Sequence, residues 1–520
     1  MRNDEAENIE EQAQVERDIK DLHGLGYRQT LRRTIGSFTS FTLGFAMVSI
    51  TAAVFTVFSS PFDNVGGVAI WLWFPVLAGV MAITLVYGHL SARLPLTGYA
   101  YQWSARLVNG HYGWFTGWAA MLAFTAGTAG LSIAMGSVFA PYLWDNPTRH
   151  QVQAFGVVMI ILGCVINAIG VRAATWINNL GAMVELVGTV GLAALMGVGL
   201  FFFTDKEGPS VLFQTGPVGG GGVTFTAIML AVLLPVYTLI GWEGSADLAE
   251  ETRDPRRVAP RAMVRTVLIS TAAGFFIYAI FSMAIPHGIK GTLEQNESPI
   301  IYLFRFHFGS FVAVMMELIA FIAFLSALIA NVAVCTRLIY SLSRDKMLPG
   351  WQVLQRVNTR TRTPLYVIAL VGVIALILNF ASAGIVTRIV SIVGVTYYAT
   401  YVLTMGGAIW ADRHNRIPQV PQGSGYMDLG KWLTRVAVFG IAFALFIMAY
   451  LTLPKVNHTA GEYSIYALAV GIVWWAVYLR PKLSKGEAGP PPEALSLAES
   501  GDELAIASES ARDWTERASQ

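Results

Sequence analysis

A charged residue stands inside an apolar run near the middle of the chain. Glu243 lies between Gly241 and Gly244, in a segment that is mostly hydrophobic from residue 223 onward. Glycines let a membrane helix open, and an ionisable group in hydrocarbon is costly enough to indicate a function. Such a carboxylate could bind a substrate ammonium group, or gain and lose a proton during transport. The alternative is a structural acid that caps backbone N–H groups freed at the break.

A second carboxylate, Glu185, lies in the apolar segment Gly181–Gly191, which has no polar face. A lone carboxylate in hydrocarbon costs several kcal/mol unless it is protonated, paired or bound to a metal. The functional interpretation is a proton-coupling or cation-coupling group, with Ser326 as a partner from another helix. The alternative is a neutral, hydrogen-bonded acid that locks its helix to the neighbouring helices.

Membrane-spanning helices must position these residues. Of the 520 residues, 54% are hydrophobic and only 13% are charged, whereas soluble domains carry roughly 25% charged residues. The apolar blocks reach the length of about 20 residues that a bilayer requires. This pattern excludes a soluble multidomain enzyme and predicts an all-α polytopic membrane protein. The twelve predicted spans are 36–58, 66–93, 112–143, 151–171, 177–203, 223–249, 263–286, 308–343, 364–382, 386–411, 432–453 and 461–480.

The distribution of basic residues predicts the orientation. With the N-terminus inside, the outer segments hold only six of the 35 Lys and Arg residues. Basic residues concentrate in cytoplasmic loops, so both termini are expected in the cytoplasm, with the protein in the plasma (inner) membrane.

The chain divides into a transporter domain and two tails. Residues 1–33 are expected to form a cytoplasmic N-terminal tail, and residues 483–520 a disordered C-terminal tail. A Gly- or Ser-interrupted segment opens each half of the domain 34–482, which predicts a five-plus-five inverted repeat with broken helices one and six. The repeats cover about 36–203 and 223–411, and helices within 432–480 are additional.

Four stretches resemble the amino acid–polyamine–organocation superfamily of permeases, with the best likeness to bacterial amino acid, γ-aminobutyrate and choline-type permeases. The likeness covers roughly residues 30–480. It rests on Gly241-Trp-Glu-Gly with Glu250-Glu-Thr-Arg-Asp-Pro-Arg-Arg-Val-Ala-Pro-Arg-Ala262, on Arg93-Leu-Pro-Leu-Thr-Gly-Tyr-Ala-Tyr-Gln-Trp103, on Thr336-Arg-Leu-Ile-Tyr-Ser-Leu-Ser-Arg-Asp-Lys-Met-Leu-Pro349 and on Asn178-Asn179.

The resemblance implies that the unwound parts of helices one and six hold a substrate in the middle of the membrane. Backbone N–H groups at a helix break attract anionic groups such as a carboxylate, and the aromatic Tyr237 would suit cation–π contact with an amine. Packing between helices is the alternative role for these side chains. The expected substrate-binding residues are Ser49, Ile50, Thr51, Tyr237, Gly241, Trp242 and Glu243, and the expected ion-coupling residues are Glu185, Glu243 and Ser326.

The acidic residues after the helix-six break are expected to pair with arginines that follow them closely. Asp247, Glu250 and Glu251 precede a group of four arginines, and such pairs would form an inner gate or a structural clamp. The four are Arg253, Arg256, Arg257 and Arg261.

The leading functional prediction is a secondary active transporter for a small amine-bearing solute, such as an amino acid, γ-aminobutyrate, a polyamine or choline. Two carboxylates inside the membrane favour a proton as the coupling ion, while sodium coupling, exchange and a transporter-like nutrient sensor stay open. Neither a P-loop nor a His-x-x-x-His pattern is present, so neither a primary pump nor an enzyme is expected. We expect a lipid bilayer around the chain, and no cofactor, metal or nucleic acid; the oligomeric state stays open.

Overall fold

The computed structural model describes residues 2–295, 297–380, 383–421, 423–453 and 458–491, and its regular elements are all helices. Within these ranges, ten helices are long and apolar enough to cross a membrane. Two further predicted spans contain shorter apolar helices, Phe225–Thr238 and Leu365–Asn379. The prediction of an all-α polytopic membrane protein is therefore confirmed.

The described residues of the first half of the chain form ten α-helices, and the predicted break in helix one is present. The third predicted membrane helix is a single continuous helix, whereas the first and the fifth are interrupted. The helices are α1 (Arg2–Gly24), α2 (Ser37–Val48), α3 (Ile50–Val57), α4 (Ser60–Asn64), α5 (Trp73–Ser91), α6 (Tyr99–Leu107), α7 (Gly110–Phe139), α8 (Arg149–Ile169), α9 (Val171–Met183) and α10 (Val190–Gly199). A π-helical turn, Val184–Thr189, joins α9 to α10.

The described residues of the second half form twelve further α-helices, several of which are short connections at the ends of the bundle. They are α11 (Phe225–Thr238), α12 (Gly244–Asp247), α13 (Pro255–Met283), α14 (Gly288–Leu293), α15 (Pro299–Phe308), α16 (Ser310–Arg344), α17 (Trp351–Leu354), α18 (Leu365–Asn379), α19 (Ala383–Arg413), α20 (Leu433–Thr452), α21 (His458–Trp474) and α22 (Arg480–Ser484). A second π-helical turn, Trp475–Leu479, joins α21 to α22.

Two membrane helices are broken, as the sequence predicted. Helix one consists of α2 and α3, which meet at Ser49. Helix six consists of α11 and α12, and the chain between Thr238 and Gly244 is not helical. The predicted span 223–249 is therefore not one helix.

The N-terminal segment packs against the bundle. Val15, Ile19 and Leu22 of α1 are almost completely buried, and Ile35 pairs with Thr252 in an isolated parallel bridge. We call this side of the bundle, where α1 meets residues 92–98, 247–254 and 337–345, the basic end. The predicted C-terminal tail is described only to Pro491, and Gly489 donates a hydrogen bond to the carbonyl of Asp345 there.

Candidate functional site

The break in helix one is centred on Ser49. Its backbone is left-handed, with φ of 37°, a conformation that is uncommon for a residue other than glycine and is found disproportionately at functional sites. The serine serves both half-helices, because its N–H donates to Phe45 at the end of α2 and its Oγ accepts from Ala52 at the start of α3. A serine therefore forms a break for which a glycine would be the usual residue.

Glu185 reaches this break from helix five. Its Oε1 accepts a hydrogen bond from the backbone N–H of Thr51 at 2.9 Å and another from the Ser49 hydroxyl at 3.2 Å. The π-helical turn that carries Glu185 also brings Thr189 within 2.8 Å of the Thr51 hydroxyl. Such turns widen a helix locally and occur often at functional sites. Only 1% of Glu185 is exposed.

The break in helix six lies directly against helix one. Gly241 has φ of 102°, and a Cβ there would be 3.0 Å from the Cβ of Met47. A Cβ on Gly244 would come within 2.4 Å of the Met47 sulfur. A residue with a side chain would strain the first position, and at the second it would require the side chains of Met47 and Val334 to shift. The two glycines therefore allow the two broken helices to meet.

Glu243 is completely buried beside this contact. The hydroxyl of Tyr401 on α19 lies 3.2 Å from its Oε1 and 3.1 Å from its Oε2. Two aromatic rings pack against the Tyr401 ring: Trp242 stacks on it at 5.7 Å, and Tyr87 packs edge-on against both rings. A carboxylate that shares a tyrosine hydroxyl can be held in either protonation state, since that oxygen donates and accepts.

A cavity of about 320 Å³ adjoins the helix-one break. Its lining residues come from both broken helices and from α7, α16 and α19, and most of them are apolar. The polar contributions come mainly from Ser49, Thr56, Tyr237, Asn331 and Tyr397. Ligand sites in proteins are typically concave, mostly apolar and equipped with a few polar groups.

Comparison with known proteins identifies the family. Residues 35–477 match the family model described as "Amino acid permease". The chain belongs to the amino acid permease family. This match covers most of the chain and both broken helices, so the permease is a multi-pass membrane transporter and not an enzyme.

Individual relatives extend over nearly the whole permease. Amino-acid permease BAT1 of Arabidopsis thaliana is 24% identical over 85% of this chain and 89% of its own length. Amino-acid permease 2 of Neurospora crassa is 22% identical over 89% and 87%. The uncharacterized amino-acid permease C74.04 of Schizosaccharomyces pombe is 22% identical over 96% and 90%. These relatives are eukaryotic, so the predicted likeness to bacterial permeases stays a prediction.

The permease brings only some of the predicted site residues to the cavity. Ser49 and Tyr237 line it, whereas the other predicted substrate residues do not. Trp242 and Glu243 both contact Tyr401. The Tyr401 ring lies 6.2 Å from that of Tyr397, which lines the cavity. The residues outside the lining are Ile50, Thr51, Gly241, Trp242 and Glu243.

The expected partnership between Ser326 and Glu185 is wrong in this permease. Ser326 donates to the backbone and side-chain oxygens of Asn178, at 3.3 Å each. The reason is packing: a Cβ on Gly181 would lie 2.6 Å from the Ser326 side chain, so helices five and eight touch one turn before Glu185. Glu185 contacts helix one instead.

The expected pairing of the helix-six acids with nearby arginines is also wrong. Glu250 forms a two-pronged pair with Arg344, with both distances 2.9 Å, and Glu251 pairs with the buried Arg337 at 2.8 Å. Asp247 accepts from the backbone N–H of Gly98 at 2.8 Å. Glu250 and Glu251 turn towards the end of α16, while arginines in the first turn of α13 find other partners, and Arg257 lies 3.5 Å from Asp254. Arg256, for example, pairs with Asp21 of α1.

The N-terminal segment adds residues that sequence reasoning missed. Tyr27 lies 2.8 Å from both carboxylate oxygens of Asp345, and Tyr101 and Gln102 donate to the same carboxylate at 2.8 Å. Burial raises the pKa of Asp345, and the neighbouring Arg344 guanidinium opposes that rise. The guanidinium also lies 3.7 Å from the centre of the Tyr27 ring. Together with the pairs of Glu250 and Glu251, these bonds join four separate parts of the chain and close the basic end.

Proposed function

We propose that the permease is a secondary active transporter that moves a small amine-bearing solute across the plasma membrane by alternating access, with both termini in the cytoplasm. The substrate would be an amino acid, γ-aminobutyrate, a polyamine or choline. The observation that carries the proposal is the cavity of about 320 Å³ at the helix-one break, with a buried carboxylate near each of the two breaks. Broken membrane helices around a central site are the usual architecture of a secondary transporter.

Closure at one end supports alternating access. The basic end is sealed by the pairs Glu250–Arg344 and Glu251–Arg337, whereas the cavity follows α3 away from that end, from Ser49 to Val57. In this transport mechanism, the closed end must open while the cavity closes on its other side.

We propose a proton as the coupling ion. Glu243 and Glu185 are buried, and each has a hydroxyl partner that can serve a charged or a neutral carboxyl group, Tyr401 and Ser49 respectively. Sodium is the second candidate. Glu185 Oε2 has no hydrogen-bond partner among the described residues, and the Thr51 and Thr189 hydroxyls lie close to this carboxylate, so oxygen ligands for a hard cation are at hand.

Uptake into proteoliposomes tests both the transport of an amine-bearing solute and the identity of the coupling ion. A solute that raises the melting temperature of the purified protein would first be selected from amino acids, γ-aminobutyrate, polyamines and choline. Its uptake would then be measured under an imposed pH gradient, an imposed sodium gradient or neither. Binding without uptake under any condition would indicate a sensor.

Substitutions assign the coupling. Glu243→Gln and Glu185→Gln should abolish proton-driven accumulation, while exchange across a membrane without a gradient is retained. Glu294→Gln is the control, because this glutamate is 68% exposed on α14's C-terminal side. Proton-driven accumulation by both buried variants at the wild-type rate would show that neither carboxylate couples transport.

A further inference from the structure

The cavity beside the helix-one break has an uncharged wall. Its described lining residues include no Asp, Glu, Lys, Arg or His, and most of them are aliphatic, aromatic or glycine. The volume of about 320 Å³ is at the lower end of the range for small-molecule sites. A charged group buried against such a wall without a partner would be strongly disfavoured. The wall therefore suits a substrate side chain that is uncharged and largely apolar.

Asn331 of α16 supplies the one amide side chain among the described lining residues. Its Nδ2 donates to the backbone carbonyl of Phe124 and to the hydroxyl of Thr128, at 2.8 Å each. The Thr128 hydroxyl itself donates to the Phe124 carbonyl at 3.0 Å, so it can only accept from Asn331. Both partners are acceptors, and only the NH₂ group of an amide can donate to two acceptors. The bonds to α7 therefore determine which way this amide points.

The oxygen of the same amide lies at the cavity wall. A Cβ on Gly127, which also lines the cavity, would be 3.3 Å from Asn331 Oδ1. The absence of a side chain at Gly127 leaves this oxygen accessible from the cavity. A carbonyl oxygen on an otherwise apolar wall favours a ligand that brings a hydrogen-bond donor, since a polar atom buried without a partner is costly.

The position of Asn331 assigns this oxygen to the side chain of a substrate. The broken helices one and six contribute another part of the lining, and helix breaks are where transporters hold the charged groups of their substrates. Asn331 belongs to the unbroken helix α16 and is bonded to the unbroken helix α7. It is therefore available to the remainder of the substrate.

We propose that Asn331 determines which amino acids the permease prefers, because its Oδ1 accepts a hydrogen bond from a donor on the substrate side chain. The substrate class is an amino acid whose side chain is uncharged, largely apolar and equipped with a hydroxyl or N–H group. The aromatic rings of Phe324 and Tyr397 would contact its apolar part. This inference rests on the proposed function and narrows its substrate.

Two pairs of amino acids test the preference. Tyrosine and phenylalanine differ by one hydroxyl, and in threonine a hydroxyl takes the place of a methyl group of valine. The wild type should bind the hydroxyl-bearing member of at least one pair about tenfold more tightly, since the other member leaves Oδ1 without a donor. Dissociation constants of the full-length protein in detergent would be measured by scintillation proximity with labelled amino acids.

Asn331→Leu removes the acceptor and keeps the approximate size of the side chain. The affinity for the preferred hydroxyl-bearing amino acid should fall about tenfold, while that for its partner is retained. Asn167→Leu is the matched control. Asn167 also donates to two acceptors, the carbonyls of Gly163 and Ile329, and it does not line the cavity. The control removes a similar set of buried hydrogen bonds and should leave the preference unchanged.

Thr128 offers a second test that does not alter the cavity lining. Thr128→Val removes one of the two acceptors that fix the Asn331 amide, so the preference should weaken about threefold. Thr128→Ser keeps the hydroxyl and should keep the preference. This pair of variants decides the matter if Asn331→Leu cannot be purified.

The outcomes are distinct. A hydroxyl preference that Asn331→Leu removes and Asn167→Leu retains would support the inference. Equal binding within both pairs by the wild type, or a preference that persists in Asn331→Leu, would overturn it. An equal loss of affinity for all four amino acids in Asn331→Leu would also overturn it, because Oδ1 would then bind the ammonium group that they share.

Failure of the proposed function has a different signature. Hydroxyl-dependent binding without uptake into proteoliposomes would contradict transport and leave the role of Asn331 standing. Uptake of an amine-bearing solute by a protein that binds none of the four amino acids would overturn the role of Asn331 and leave the transporter proposal standing.

Discussion

The two halves of the bundle on either side of the breaks are held in opposite ways. At the basic end, charged groups converge: Glu251 and Arg337 are both at most 1% exposed, and Glu250 meets Arg344 through two bonds. On the other side, the cavity wall runs along α3 and carries no charged residue among those described. One half is closed by directional bonds, and the other holds an apolar space.

This difference indicates how the protein can change shape. Charge pairs form or break as units, since a buried charge without its partner is strongly unfavourable. An apolar cavity contributes to the affinity for a ligand only when the ligand fills it and displaces water from apolar surface. We therefore expect substitutions at the basic end to affect folding and the conformational equilibrium most, and substitutions at the cavity to affect substrate affinity.

The largest effect is expected when the Glu251–Arg337 pair is broken. Arg337→Ala leaves Glu251 completely buried without its partner, which should lower the free energy of unfolding by about 3–5 kcal/mol. The measurement is the melting temperature of the purified protein in detergent. Arg337→Met combined with Glu251→Leu removes both charges and should recover most of the loss.

An exposed pair supplies the control for this prediction. Lys290 and Glu294 lie 3.8 Å apart and are 70% and 68% exposed, so Lys290→Ala should leave the melting temperature unchanged. Equal melting temperatures for Arg337→Ala and Lys290→Ala would show that the buried pair does not hold the basic end closed.

The sequence predicted the helices far better than their partners. Long apolar runs identified the membrane segments, and glycines beside Glu243 located the helix-six break, because both signals are local. The pairing of Glu250 with Arg344 joins residues 94 positions apart. The arginines that follow Glu250 closely in the sequence were therefore the more obvious predicted partners. Only the packed end of α16 decides between them.

The site shows the same limit. Glu185 was recognised as unusual because a carboxylate in an apolar helix is unusual in itself, but its contact with Thr51 depends on how helices one and five pack. The position of Ser326 along its helix suggested a contact with Glu185. Because helices five and eight approach closely at Gly181, Ser326 instead donates a hydrogen bond to Asn178. Tyr27 lay in a polar segment with no pattern to suggest that it binds Asp345.

A smaller effect is expected when the cavity is narrowed. A Cβ on Gly127 would lie 3.3 Å from Asn331 Oδ1 at the cavity wall, so Gly127→Val should raise the KM for uptake about tenfold, the effect of a few misplaced methyl groups in an apolar pocket. Gly191→Val is the matched control, since a Cβ there meets nothing within 4 Å. An equal KM for both variants would exclude this cavity as the substrate site.

The smallest effect concerns a surface acid at the basic end. Asp428 accepts from the backbone of Gly430 at 2.9 Å and pairs with Arg93 at 2.8 Å, and these contacts lower its pKa from the ordinary value of 3.8. Because this pKa is lower in the folded protein than in the unfolded chain, the Asp428 carboxylate stabilises the folded state at neutral pH. The stabilisation is lost as the pH falls below the pKa of the unfolded state and through that of the folded state. Asp428→Asn should therefore melt slightly below the wild type at pH 7, and the difference should vanish under acidic conditions. Melting temperatures measured across pH would test this, with Glu294→Gln as the exposed control; a difference that grew on acidification would contradict the assignment.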